Sequence, residues 1–437
     1  MNRDVIKQIL TDQREMYQVT PLIQRETVLE DSVNYCFVGI RRTGKSYMMY
    51  QRIADLLGNG IPEKQILYAN FEDERFIEAD TEDLNTILEI GLELAGDEGK
   101  PYIFLDELQN VPGWEKFARR LADTNYRISI TGSNSKMLSS EIASTLGGRF
   151  LPVTIYPYSF REFLAANERE IPESGTLSTK EKAEIIGLCA RFIREGAFPG
   201  LVYIKDKRKY LSGIYETIYL GDIVARNEIR NPFAIRLILK KIAESVMKPL
   251  SYTRLHNILQ SAGVSIGKQT VITYMGFIRE SYLLFPVENF AGKLVDKETS
   301  PKYYFMDTGI LGLLLMNCET AQLENLVAIE LLRRYGADHF FYFERNTEID
   351  FYVPGEDLAI QVCYNLLGSE DTKNRELQAF VKFRRHFPDA KCLLISNSEE
   401  CEITVENVTV SVVPIWKWLV ERKCVADSIT DDVENRT

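Results

Sequence analysis

The chain has 437 residues, too many for one ordinary core, and roughly 150 residues per domain implies about three domains. Hydrophobic residues make up 45% and charged residues 26%, as in soluble globular proteins. A net charge of −11 argues against sequence-independent binding to nucleic acid by the whole chain, though it leaves room for a local basic face. No apolar run approaches the ~18 residues needed to span a bilayer, and no membrane partner is expected. The start, Met1-Asn-Arg-Asp-Val, lacks the apolar stretch of a secretory signal. Seven cysteines without a C-x-x-C pair, and three scattered histidines (His256, His339, His386), exclude a disulfide framework and a zinc ribbon. A reducing cytoplasm is the expected location.

The first element with chemical content is a short apolar strand, Asn34 to Val38. It runs directly into Gly39-Ile-Arg-Arg-Thr-Gly-Lys-Ser46, followed by Tyr47 and an apolar pattern at helical spacing. This is G-x-x-x-x-G-K-S in its strand–loop–helix context, a cradle for ATP. Gly39, Arg42, Thr43, Gly44, Lys45, Ser46 and Tyr47 are the expected nucleotide contacts, because backbone N–H groups must close around the phosphates. Lys45 is expected to reach the β- and γ-phosphates, and Ser46 to ligate Mg²⁺.

A second strand, Tyr102 to Leu105, ends in Asp106-Glu107. Asp106 is expected to hold Mg²⁺ and Glu107 to polarise the attacking water. Two solvated acids capping a strand is the bland alternative. A third strand, Arg127 to Thr131, delivers Ser133-Asn134 at the edge where α/β sheets gather ligands. Either residue could sense the γ-phosphate, and either could be an ordinary turn residue. Arg149, after Gly147-Gly148, is a candidate stabiliser of transition-state charge, within the chain or across to a neighbour. The competing reading is an exposed structural arginine.

Gly-Ile-Arg-Arg-Thr-Gly-Lys-Ser, Leu-Asp-Glu-Leu-Gln, Thr-Gly-Ser-Asn-Ser, Leu-Gly-Gly-Arg and Tyr-Pro-Tyr-Ser-Phe-Arg-Glu-Phe (156–163) occur in that order. Together they resemble the prokaryotic AAA-family ATP-binding proteins that carry a C-terminal domain of unknown function. The resemblance covers nearly the whole chain. It implies Walker A at Gly39 to Ser46, Walker B at Asp106 and Glu107, a sensor at Ser133 or Asn134, and an arginine at Arg149.

Residues 164–228 read as helical with one break at Gly196-Ala-Phe-Pro-Gly200, a connector and lid. Gly309 to Met316 fits a buried helix end. Three short helices follow from Asn231: Ala234 to Ser245, Ser251 to Ser261 with Ser251 as N-cap, and Lys268 to Glu280. The strand-like Tyr282 to Val287 then suggests a winged helix, whose Lys268, Gln269, Thr270 and Thr273 would face outward toward phosphate or base edges. The same segment could serve packing or protein contact alone.

Residues 320–400 give helix (Leu323 to Tyr335), three strands (His339 to Glu344, Glu348 to Val353, Leu358 to Tyr364), helix (about Asn374 to His386) and strand (Lys391 to Ser396). The order resembles the restriction-endonuclease-like fold. Glu324 and Asp350 occupy two of its active-site places, but Glu-x-Lys is replaced by Gln361-Val-Cys363. Losing that glutamate and lysine removes the charge that holds the metal and the nucleophile. No metal-dependent nuclease activity is expected.

The expected fold is therefore α/β: a P-loop AAA-type parallel sheet (1–163), a helical connector (164–230), a winged-helix segment (231–298), a restriction-endonuclease-like α/β domain without activity (299–425) and a disordered tail (426–437). The expected function is a Mg²⁺-dependent ATPase that switches its attached C-terminal domains, with DNA as a partner through 231–290 and a homo-oligomer or protein partner beside it. Two alternatives stand: a nucleotide-gated binding module with little turnover, and, disfavoured, a DNA nuclease. Glu107 favours turnover, because a pure switch needs no positioned base.

Overall fold

Short apolar runs buried on both faces pair in parallel when helices cross over between them, and the first part of this chain has that pattern throughout. The computed structural model describes residues 1–132, 145–172 and 176–421. It divides into two compact units, 1–157 with 280–282, and 158–279 with 283–437.

In the first unit, helix α1 (Arg3–Val19) precedes β1 (Tyr35–Val38), α2 (Lys45–Gly58), β2 (Ile66–Asn70), α3 (Thr81–Ala95), β3 (Tyr102–Asp106), α4 (Trp114–Asp123), β4 (Arg127–Thr131) and β5 (Leu151–Thr154). The five strands form one parallel sheet in the order β2-β3-β4-β1-β5. All four residues of β1 are buried, as a central strand covered on both faces requires. Because β1 lies between β4 and β5, the chain end of β1 opens at a switch point of the strand order, where α/β sheets bind ligands. Helix α1 packs on β2 and α3 through Ile6, Ile9, Leu10 and Tyr17, one apolar stripe at helical spacing. Asp80 and Asp83 form a reciprocal cap at the start of α3, satisfying amides that the helix itself leaves free.

The second unit begins with α5 (Phe160–Ala166), α6 (Thr179–Glu195) and α7 (Lys207–Glu216), which continues as a π-helical stretch over 217–225. Ser159 with Glu162, and Ser178 with Glu181, cap α5 and α6 in the same reciprocal manner. Next come α8 (Pro232–Glu244), α9 (Tyr252–Ser261) and α10 (Lys268–Glu280), with Ser251 accepting from the Arg254 amide as the sequence implies. Strands β6 (Leu284–Val287) and β7 (Lys302–Phe305) pair antiparallel, joined by a connection that holds α11 (Leu294–Thr299). Lys268, Gln269 and Thr273 are exposed on α10, while Thr270 is half-buried.

Helix α12 (Thr308–Leu314) buries Gly309, Ile310 and Leu311. The carboxylate of Asp307 caps it at the Ile310 amide and also accepts from the Ala197 amide at 2.7 Å. Burial raises the Asp307 pKa to about 6 despite those bonds. The rest comprises α13 (Glu319–Tyr335), β8 (Phe341–Glu344), β9 (Glu348–Val353), β10 (Leu358–Cys363), α14 (Glu370–Arg384), β11 (Lys391–Ser396), β12 (Cys401–Val405), β13 (Val408–Pro414) and α15 (Ile415–Val420). Its six-stranded sheet has the order β12-β13-β11-β10-β9-β8, parallel through β10, β11 and β13 and antiparallel at both sides. The expected disordered tail, 426–437, lies outside the described residues.

Candidate functional site

Gly39 leaves β1 with φ +139°, and a Cβ there would sit 2.4 Å from the Ile155 carbonyl oxygen. Only glycine fits so close to a neighbouring backbone. Arg42 (φ 68°) and Gly44 (φ 94°) add two more left-handed turns, and α2 begins at Lys45 with no side-chain cap on its first amides. A helix start with free N–H groups and a positive dipole end is an anion site by construction. Lys45 is buried, and its ammonium donates to the Gly39 and Ile40 carbonyls at 3.2 and 3.4 Å. Thr43 turns inward, its hydroxyl donating to the Ile40 carbonyl at 2.9 Å. Tyr47 is exposed on the first turn of α2, beside Tyr50.

Asp106 ends β3 with no solvent exposure. Tyr68 donates to one carboxylate oxygen at 2.9 Å, and the Thr131 hydroxyl donates to the other. Burial pushes the Asp106 pKa up, while the bonds from Thr131, Ser46 and Tyr68 pull it down. Glu107 follows in the left-handed region (φ 52°), with its amide donating to the Thr131 oxygen at 2.8 Å. Its carboxylate accepts from the Gln109 amide at 2.5 Å. Thr131 therefore ties both acids to the end of β4, beside the strand that carries the phosphate loop. The residues fit a hydrated Mg²⁺: Ser46 and Asp106 supply hard oxygens at the cradle. Among the described residues no three Asp, Glu, His or Cys side chains converge to hold a metal by themselves. Phosphate oxygens and water would have to complete the shell.

Four participants carry no role in the sequence reading, although Gln109 and Thr131 lie within the quoted Leu-Asp-Glu-Leu-Gln and Thr-Gly-Ser-Asn-Ser. Tyr68 and Thr131 reach Asp106 only because β2 and β4 flank β3 in register, pairing Asn70 with Asp106 and Leu105 with Ile130. Gln109 holds Glu107. Arg25, buried, clamps the phosphate loop by donating to the Thr43 carbonyl at 3.0 Å and the Tyr156 carbonyl at 2.6 Å. A threonine closing an apolar strand is the one signal the sequence offers for any of them. The residues just beyond it, Ser133 and Asn134, are the expected sensors, and both lie outside the described residues.

Arg149 is not brought to this cradle. It bonds Asp123 at the end of α4, and it precedes β5, whose Leu151 pairs with Tyr35 at the start of β1. In parallel strands that is the sheet edge opposite the phosphate loop. Of the two alternatives, action within the chain or across to a neighbour, this position offers Arg149 no contact with its own cradle among the described residues.

In the second unit, Glu324, Asp350, Gln361 and Cys363 do meet, lining one cleft of about 740 Å³ together with Glu348 and Glu376. Tyr304 donates to Glu324 at 2.7 Å, and the Val362 amide donates to Asp350 at 2.8 Å. Gln361 accepts from the Asp350 amide at 2.7 Å and donates to Glu376 at 3.0 Å.

The chain matches the AAA domain family over residues 33–164 and a domain of unknown function, DUF8612, over 188–321. It is 32% identical over 429 residues to a protein of Methanocaldococcus jannaschii described as uncharacterized protein MJ1544, covering 95% of each chain. An uncharacterized protein of Haemophilus influenzae is 29% identical over 415 residues, covering 90% of this chain and 98% of that one. Among solved structures, the Orc1 protein of Aeropyrum pernix in complex with DNA matches at 16% identity and TM-score 0.28, over 72% of this chain and 93% of that one. AMPPCP-bound DnaA of Aquifex aeolicus matches at 17% identity and TM-score 0.25, over 63% and 86%. Scores this low transfer no property.

Proposed function

The chain belongs to the same family as MJ1544 of Methanocaldococcus jannaschii, and from that premise and its AAA domain we propose a Mg²⁺-dependent ATPase whose nucleotide state switches the attached C-terminal domains. One observation carries the reading: a buried Asp106 and an adjacent Glu107, both tied to Thr131, beside a loop shaped for phosphates. Lys45 and the first amides of α2 bind the phosphate chain. Ser46 and Asp106 would hold Mg²⁺, which when bound would supply charge neutralisation at the transferred group. Glu107 takes up the proton of the attacking water, so its carboxylate must leave Gln109. That bond favours the second reading as well, a nucleotide-gated module with little basal turnover. Phosphate release measured with and without DNA separates the two.

Arg149, remote from its own cradle, would act across a subunit boundary, in a homo-oligomer. We expect Arg149→Ala to lower turnover without weakening ATP binding. Mixing it with a Lys45→Ala protein that retains Arg149 should restore part of the activity, read as phosphate release. Unchanged turnover in Arg149→Ala reduces that residue to an ion pair with Asp123.

DNA is the partner proposed for 231–290, supported by exposed Lys268, Gln269 and Thr273 on a helix that precedes a two-stranded ribbon. Lys268→Glu should weaken DNA binding and reduce the slope of log K against log salt by about 1, because one phosphate is no longer neutralised. An unaltered salt slope in fluorescence anisotropy returns this segment to a protein-contact role.

A further inference from the structure

Four acids, Glu324, Glu348, Asp350 and Glu376, line the cleft of the second unit. Like charges gathered beside a low-dielectric floor repel strongly unless a cation stands among them or a carboxylate takes up a proton, and burial pushes the Asp350 and Glu324 pKa values up. The sequence pattern offers no such cation at the expected place, since Gln361 and Cys363 are neutral there. The structure supplies one from another strand. Lys302, the first residue of β7, is fully buried and reaches Glu348 at 2.9 Å and both Glu324 and Asp350 at 3.9 Å.

Two further observations define what this ammonium does. Its nitrogen is out of contact with solvent, held by Glu348 at 2.9 Å, and it lies over the Tyr342 ring at 5.2 Å. The lysine is also absent from the cleft lining, where Lys248, Lys382 and Arg375, the last paired with Glu376 at 2.6 Å, stand beside the acids. A lysine that activates a nucleophile must face the substrate, and this one approaches the acids from beneath. It has the position of a bound ion.

We propose that Lys302 is the resident cation of this cleft, its ammonium standing where a divalent ion would be held by Glu324, Glu348 and Asp350. The cleft therefore operates without metal, and removing Lys302 converts it into a site for a hard divalent cation. Replacing that charge by a neutral side chain leaves three carboxylates unneutralised; they do not converge on an ion as they stand, and would have to draw in from 2.9–3.9 Å to the roughly 2.1 Å of a hard divalent ion.

The test uses the full chain without nucleotide, with Asp106→Asn as common background so that the phosphate cradle adds no metal site. Mn²⁺ binding is followed by electron paramagnetic resonance, and thermal unfolding by calorimetry. The parent should show no Mn²⁺ bound through Asp350. Lys302→Met should bind Mn²⁺ at least about tenfold more tightly and be stabilised by it, as binding to the native state alone demands. Adding Asp350→Asn to Lys302→Met should abolish both effects. If Lys302→Met does not fold, Lys302→Met/Glu324→Gln decides, because removing one acid with the lysine restores the charge balance. Failure of that double variant to recover folding overturns the proposal. So does Mn²⁺ bound by the parent through Asp350, or Mn²⁺-dependent DNA cleavage by the parent that Asp350→Asn abolishes.

Discussion

Lys45→Ala is expected to abolish ATP binding at micromolar nucleotide, whereas Glu107→Gln keeps ATP affinity near the parent value and stops turnover. The Lys45 ammonium is buried at the mouth of the loop, where it already bonds the Gly39 and Ile40 carbonyls. In the complex it would exchange those carbonyls for phosphate oxygens. A charge-assisted contact is worth roughly 1.5–3 kcal/mol, and the unpaired phosphate charge left behind adds to the loss. A fall in affinity of about two orders of magnitude follows. The carboxylate of Glu107 is occupied by Gln109 in the nucleotide-free protein. Its value lies in the transition state, where a positioned base contributes roughly 10²–10⁴ in rate. Equilibrium binding of a fluorescent ATP analogue and steady-state phosphate release separate the two variants. Parent-rate hydrolysis by Glu107→Gln would remove that residue from the role of base.

Asp106→Asn should have opposite effects on stability and on metal dependence. In the nucleotide-free protein its carboxylate has no solvent contact, and burial raises its pKa against the help of three hydroxyls. A neutral amide of the same shape avoids the desolvation of a buried charge. It can still accept from Thr131 or Tyr68, so a rise in stability of about 1–2 kcal/mol is expected without ligand. The same change removes the anionic oxygen offered to Mg²⁺, and Mg²⁺-dependent ATP hydrolysis should fall by two orders of magnitude or more, roughly the worth of a lost charge-stabilising group. Thermal unfolding without nucleotide, beside hydrolysis over a Mg²⁺ titration, measures both. Unchanged hydrolysis at low Mg²⁺ would assign the metal to other groups. A drop in stability would mean that the hydroxyl bonds to Asp106 outweigh its desolvation.

Neighbouring residues made the phosphate site legible. Strand, glycine turn and helix are contiguous from Tyr35 to Gly58, so the local spacing of small and apolar residues carries the whole cradle. The same holds for β3 ending in Asp106 and for helix α10, read from the sequence with both its boundaries. Helix α1 went unread because its apolar stripe is narrow and most of its residues are polar. The β12–β13 hairpin went unread because its turn is Glu406-Asn407, both left-handed (φ 48° and 66°), without the glycine that usually marks such turns.

Proximity in sequence does not fix proximity in space. Arg149 follows the third strand of the phosphate site closely, yet it precedes β5, and parallel pairing sends it to the far edge of the sheet. The acids of the second cleft looked uncompensated because their cation comes from β7, ahead of the helix that carries Glu324. From the sequence alone came the phosphate-binding chemistry and the α/β class of its domain. Strand order and register decided the rest: which hydroxyls hold Asp106, which edge receives Arg149, and which lysine neutralises Glu324 and Asp350. Backbone dihedrals and spacing are local and can be read along the chain. A charge acts through space, and its partner is known only once the strands have been laid side by side.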